Sequence, residues 1–177
     1  MRIRIISFVL IVIFSLGASA DQGKALIGGH FDLIDQNGNP VKDEDFRDRL
    51  MLVYFGFSRC QMICPASLSL ISEVMEELDE DAEEMLQPIF ITVDPEYDTV
   101  EQLNEYHESF HPSILMLTGN EEKIKAAADK YRVYVDQDDY NNHSIFIYLM
   151  DRDGEYLAHF TYKSDMHEII KKIKEFL

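Results

Sequence analysis

Cys60 and Cys64 are the only cysteines in the chain, and they lie four residues apart. They sit in Tyr54-Phe55-Gly56-Phe57-Ser58-Arg59-Cys60-Gln61-Met62-Ile63-Cys64-Pro65. That separation can bring two Cα atoms within the roughly 4.4–6.8 Å a disulfide requires. As thiolates, the same pair can grip one soft metal ion. Isolated cysteines are often buried as small hydrophobes. Two in one turn, with no others anywhere, point instead to a joint role. The spacing alone leaves disulfide chemistry and metal binding both open.

The flanking residues say how such a turn is held. Met51 to Phe57 is a run of strand formers. Pro65, tolerated in a first helical turn where its missing N–H has no partner, is followed by apolar residues at helical spacing: Leu68, Ile71, Met75 and Leu78. The order is strand, thiol turn, helix, with the helix expected over Pro65–Glu80. Cys64 then falls at a helix N-terminus, whose partial positive charge favours thiolate over thiol.

Along the rest of the chain, His30 to Asp35 alternates like a strand and leads through Gln36-Asn37-Gly38-Asn39-Pro40 to Val41, an N-terminal hairpin. Further strands are expected at Pro88–Val93, Ser113–Leu117, Arg132–Val135, Ser144–Met150 and Glu155–Tyr162. Helices are expected at Thr99–Phe110, with Thr99 as cap, at Glu121–Tyr131 and at Asp165–Leu177. Asp136 to Asn142 reads as a polar loop. Asp94 and Asp98 are read as fixing the turn after the second long strand, without chemistry of their own.

The N-terminus begins Met1-Arg2-Ile3-Arg4, continues with the apolar run Ile5–Leu16 and ends in Ala18-Ser19-Ala20. This is the pattern of a secretory signal. The apolar stretch falls short of the roughly 20 residues that span a bilayer, so cleavage after Ala20 is favoured over an uncleaved anchor. Either way residues 21–177 form one domain, read as monomeric, that faces an oxidising compartment where a Cys60–Cys64 disulfide can persist. With 33 acidic against 16 basic residues, the formal charge is −17. Such acidity argues against nucleic acid or anionic lipid as a partner and suits a basic protein surface or a cation. Most of the acids, Glu73 to Glu84 above all, read as solvated helix faces.

Strands alternating with helices, closed by a hairpin and a helix, give an α/β architecture: a central mixed β-sheet flanked by helices. With the thiol turn after the first long strand, this is the order of a thioredoxin-like fold. In that fold a proline, usually cis, precedes the strand opening the final hairpin and faces the thiols. Here the run is Asn142-His143-Ser144, with no proline. The fold therefore aims His143 at Cys60 and Cys64. Two thiolates and an imidazole suit copper, as Cu(I) or Cu(II), while zinc usually wants a fourth ligand. His30, His107, His111, His159 and His167 show no pairing with the cysteines by spacing.

From about Gly28 onward the chain resembles the Sco/SenC family of copper chaperones for cytochrome c oxidase assembly. The matching blocks are Tyr54–Cys60, Cys64-Pro65, Thr92–Thr99, Leu117-Thr118-Gly119, Tyr131–Tyr134, His143-Ser144 and Tyr148–Asp151. The resemblance implies Cys60, Cys64 and His143 as copper ligands. It also implies a role at the dinuclear copper site of oxidase subunit II, by delivering copper or by reducing that site's cysteines. Members are typically membrane-tethered, which implies a tether through residues 1–20 and a place in the periplasm or the equivalent intermembrane space. Two departures stand out. Gln61-Met62-Ile63 replaces the family's usual Pro-Asp-Val, and Asn142 replaces the usual Asp before the histidine. Each removes a carboxylate near the proposed ligands, which should alter affinity and redox poise. The competing readings are a thiol–disulfide oxidoreductase using Cys60 and Cys64, and a redox or copper sensor in which disulfide formation controls docking.

Overall fold

The computed structural model describes residues 27–136, 139–140 and 142–177. The expected signal or anchor at residues 1–20 lies outside them. Seven strands form one sheet in the order β2-β1-β5-β4-β3-β6-β7. They are β1 (Asp32–Asp35), β2 (Pro40–Lys42), β3 (Leu50–Gly56), β4 (Leu86–Thr92), β5 (Leu115–Thr118), β6 (Ile147–Met150) and β7 (Tyr156–Phe160). β3, β4 and β5 run parallel, while the hairpins β1–β2 and β6–β7 flank them antiparallel. β3 and β4 are buried at every position, as expected for central strands covered on both faces.

Among the described residues five α-helices complete the layers: α1 (Ile63–Glu77), α2 (Glu80–Glu84), α3 (Val100–His107), α4 (Glu121–Lys130) and α5 (Met166–Lys174). α1 buries Leu68, Ile71, Val74 and Met75 and packs beside α5, which buries Ile169, Ile170 and Ile173. On the α1 side of the sheet, Tyr54 lies against Phe90, and Phe90 against Tyr106 of α3. On the opposite face Phe55 and Tyr148 pack on Tyr131, at the end of α4. The caps follow the sequence: Thr99, Asn120 and Asp165 each accept backbone N–H groups from the helix they start.

The thioredoxin-like order is borne out, and two expected strands change. Arg132–Val135 is not a strand. Arg132 adopts a left-handed conformation (φ 58°) that ends α4, and Val133 N–H returns to the Ala128 carbonyl at 2.9 Å. Only Val135 bridges, to His143. The strand expected from Ser144 begins at Ile147, whose pairing with Tyr54 is the first rung between β6 and β3.

Candidate copper site

β3 stops at Gly56, and its end sets how closely sulfur can approach the sheet. A Cβ on Gly56 would lie 2.9 Å from Cys64 Sγ and 3.0 Å from the rings of Phe90 and Tyr54. Only hydrogen fits there. Past it, Phe57 to Met62 form the turn, with Cys60 N–H bonded to the Phe57 carbonyl at 3.2 Å. The loop after β4 clamps this turn. Asp98, fully buried, accepts from Ser58 N–H at 3.0 Å, from the Ser58 hydroxyl and from the Thr92 hydroxyl. Asp94 pairs with Arg59, whose guanidinium stacks 4.4 Å over the Tyr97 ring. Burial holds the Asp98 carboxyl above the usual range, against the pull of its Ser58 and Thr92 hydrogen bonds.

The two thiols are unbonded and unequal. Cys64, in the first turn of α1, is 0% exposed; Cys60 is half-buried. Burial pushes the Cys64 thiol up to about 12, although Tyr54 O–H donates to its sulfur at 3.4 Å. At Cys60 burial acts in the same direction but is outweighed. The N–H of Cys64, 3.4 Å from its sulfur, and those of Met62 and Ile63 hold that thiol below its ordinary value. The expectation that the helix N-terminus activates Cys64 is thereby corrected. The free N–H groups of α1 converge on the cysteine before the helix, while Cys64 has turned its side chain into the core.

His143 comes from the loop before β6, paired to Val135 and edge-on to Phe57 at 5.8 Å. Its Nδ1 lies 2.6 Å from the Ser144 carbonyl, which can only accept, so Nδ1 carries the proton. Nε2 therefore presents a lone pair, 4.0 Å from Cys64 Sγ. Burial lowers the imidazole's proton affinity, opposed by the Ser144 contact, and favours this neutral form. A metal–sulfur bond of roughly 2.3 Å and a metal–nitrogen bond of roughly 2.0 Å span at most about 4.3 Å. The gap thus admits one ion between the two atoms. Among the described residues no three His, Cys, Asp or Glu side chains are already gathered around one point. Cys64 Sγ and His143 Nε2 face each other across 4.0 Å, and the Cys60 sulfur lies 3.4 Å from the Cys64 N–H.

Of the other histidines, His111 bonds Ser113, His159 bonds Tyr156, and His30 bonds Asp43, each away from the thiols. The two sequence departures also find places. Asn142 donates to Asp136 at 3.1 Å, a bond an aspartate could not make when charged. Gln61 and Met62 project into solvent. Sequence reasoning missed Tyr54 as the donor to Cys64 and the reach of Asp98 to the thiol turn. Tyr54 is ten residues before Cys64 on a strand of fixed alternation, a signal that could have found it.

Fold and site together define a thioredoxin-like protein whose dithiol turn faces a histidine. The SCO1/SenC family profile matches residues 19–177. The SCO2-like protein of Rickettsia prowazekii is 44% identical over 161 residues, 86% of this chain and 78% of that protein. Bradyrhizobium japonicum ScoI, solved with copper bound, is 38% identical with a TM-score of 0.76, covering 85% of this chain and 99% of that one. Yeast Sco1, also solved with copper bound, is 39% identical with a TM-score of 0.76, covering 86% and 93% respectively. This chain belongs to the SCO1/SenC family.

Proposed function

We propose that this protein binds one copper ion through Cys60, Cys64 and His143 and serves cytochrome c oxidase assembly as a metallochaperone. Its target is the dinuclear copper site of oxidase subunit II. The observation that carries the reading is the His143 Nε2 lone pair held 4.0 Å from Cys64 Sγ, with Cys60 beside it. The copper-bound relatives support it. Export through residues 1–20, cleaved or kept as a tether, places the domain in the oxidising compartment; no helix among the described residues is long and apolar enough to cross a membrane.

The test is anaerobic titration of reduced residues 21–177 with Cu(I) against a competing chelator, then with Cu(II) followed by absorption and EPR. One equivalent with a thiolate-to-Cu(II) charge-transfer band is expected. His143→Ala should lose Cu(II) and keep some Cu(I) on the thiolates; Cu(II) binding equal to wild type would remove His143 from the site. Unchanged copper binding in Cys60→Ser or Cys64→Ser would sink the assignment.

The inequality of the two thiols favours a second reading, reduction of the target's cysteines. Cys60, the more exposed and more readily ionised sulfur, attacks a substrate disulfide and releases one substrate thiolate. Cys64 then loses its proton, attacks Cys60 Sγ and releases the other, leaving a Cys60–Cys64 disulfide. Rapid reduction of the target's disulfide, with weak or non-stoichiometric copper binding, would favour this reading over delivery.

A further inference from the structure

Met62 lies between the two cysteines, and nothing in the local structure accounts for a methionine there. It occupies the N-cap position of α1, where Ser, Thr, Asp or Asn would accept a helix N–H, and its side chain makes no such bond. It does not pack either: at 72% exposed it is the most exposed large apolar side chain among the described residues. What surrounds it is the site. Its own N–H is one of those that engage the Cys60 sulfur, and Cys64 begins two residues further on. The donors of the site also divide by depth. Cys64 is buried beside His143, whereas Cys60 is half-buried with its sulfur over the helix amides.

We propose that the Met62 thioether and the Cys60 sulfur form an outer landing pair for Cu(I), from which the ion passes inward to Cys64 and His143. The inference rests on the copper reading above and adds a fourth donor to it, one that the ion uses only on entry and exit. A thioether is a soft ligand suited to Cu(I) and carries no proton to lose. Met62 has three rotatable bonds and a solvent-exposed position from which to meet an arriving ion. The steps are ligand exchanges with no change of oxidation state. A bond from copper to the Met62 sulfur forms as a donor's ligand leaves. It breaks as the Cys64 sulfur, having given its proton to water, takes its place.

The experiment follows Cu(I) uptake from a bicinchoninate complex under anaerobic conditions, by stopped flow, in wild type, Met62→Leu and Met62→Ala. Leucine keeps the apolar bulk and removes the sulfur. Both variants are expected to take up and release Cu(I) more slowly, with an equilibrium affinity close to wild type. In the Cys64→Ser background the landing pair is isolated. Adding Met62→Leu there should weaken Cu(I) by at least the roughly 10–100-fold that loss of a supporting group costs, and copper-edge X-ray absorption should lose one of two sulfur neighbours. Wild-type uptake rates in Met62→Leu, together with unchanged affinity in the Cys64→Ser background, would overturn the landing pair. Slowing in Met62→Ala but not in Met62→Leu would overturn it too, making the side chain an apolar contact. Failure of wild type itself to bind Cu(I) would instead overturn the copper reading beneath it.

Discussion

The two sulfurs differ in proton affinity because their surroundings differ, and the difference dictates how copper binding responds to pH. A ligating thiol must be deprotonated, so metal and proton compete at each sulfur. Burial holds the Cys64 proton on until pH about 12, and helix amides draw the Cys60 proton off below its ordinary value despite partial burial. His143, made harder to protonate by burial, adds no proton to the balance at neutral pH. Raising the pH must therefore strengthen binding. The logarithm of Cu(I) affinity should climb about one unit per pH unit where Cys60 is already ionised, from the Cys64 proton alone, and more steeply below that. Chelator competition across neutral and mildly alkaline pH measures the slope, and Cys64→Ser should flatten it. A flat profile in wild type would mean that Cys64 does not ligate.

Between elements, the loop joining β4 to α3 determines where the thiol turn sits. Asp98 satisfies one N–H and two hydroxyls from two separate segments of chain. Truncation to alanine strands buried donors, at about 1–3 kcal/mol for such a group. Asp98→Ala is expected to lower the unfolding free energy by that order, measured by denaturant titration, and to weaken copper in chelator competition. Stability lost with copper affinity intact would show that the clamp does not position the cysteines. This clamp also marks where sequence reading ran out. β3 and β4 were legible as runs of strand formers, and α3 by its cap Thr99. Asp98 was placed in its own turn because its partner Ser58 is forty residues away, a distance that no local pattern records. The short α2 and the 3₁₀ turn Asp43–Phe46 were missed, being too brief and acidic to show a period. Arg132–Val135 was misread because its β-formers serve to end α4 and carry the chain to the site. His143 was legible only through the fold position that the Cys60–Cys64 turn implied.

For the molecule as a whole, a formal charge of −17 creates a field that any partner meets before contact. Docking on a basic face is predicted to be fast at low salt and to slow as ionic strength rises, since screening shortens the field to about 10 Å at 0.1 M. Stopped-flow transfer of Cu(I) to the soluble copper domain of oxidase subunit II, at two salt concentrations, measures this. A rate indifferent to salt would assign docking to apolar contacts instead.

Cys64 and His143 are 79 residues apart in the chain, so an ion bridging them ties the thiol turn to the loop before β6. Cargo of that kind is also a rivet. Metal that binds the folded chain alone adds stability by mass action, about 2.7 kcal/mol when its free concentration is a hundredfold above the dissociation constant. The copper-loaded form is thus expected to be the tougher molecule and the empty one the softer. On that reading a protease would digest the empty form faster than the copper-loaded one without ever touching the metal.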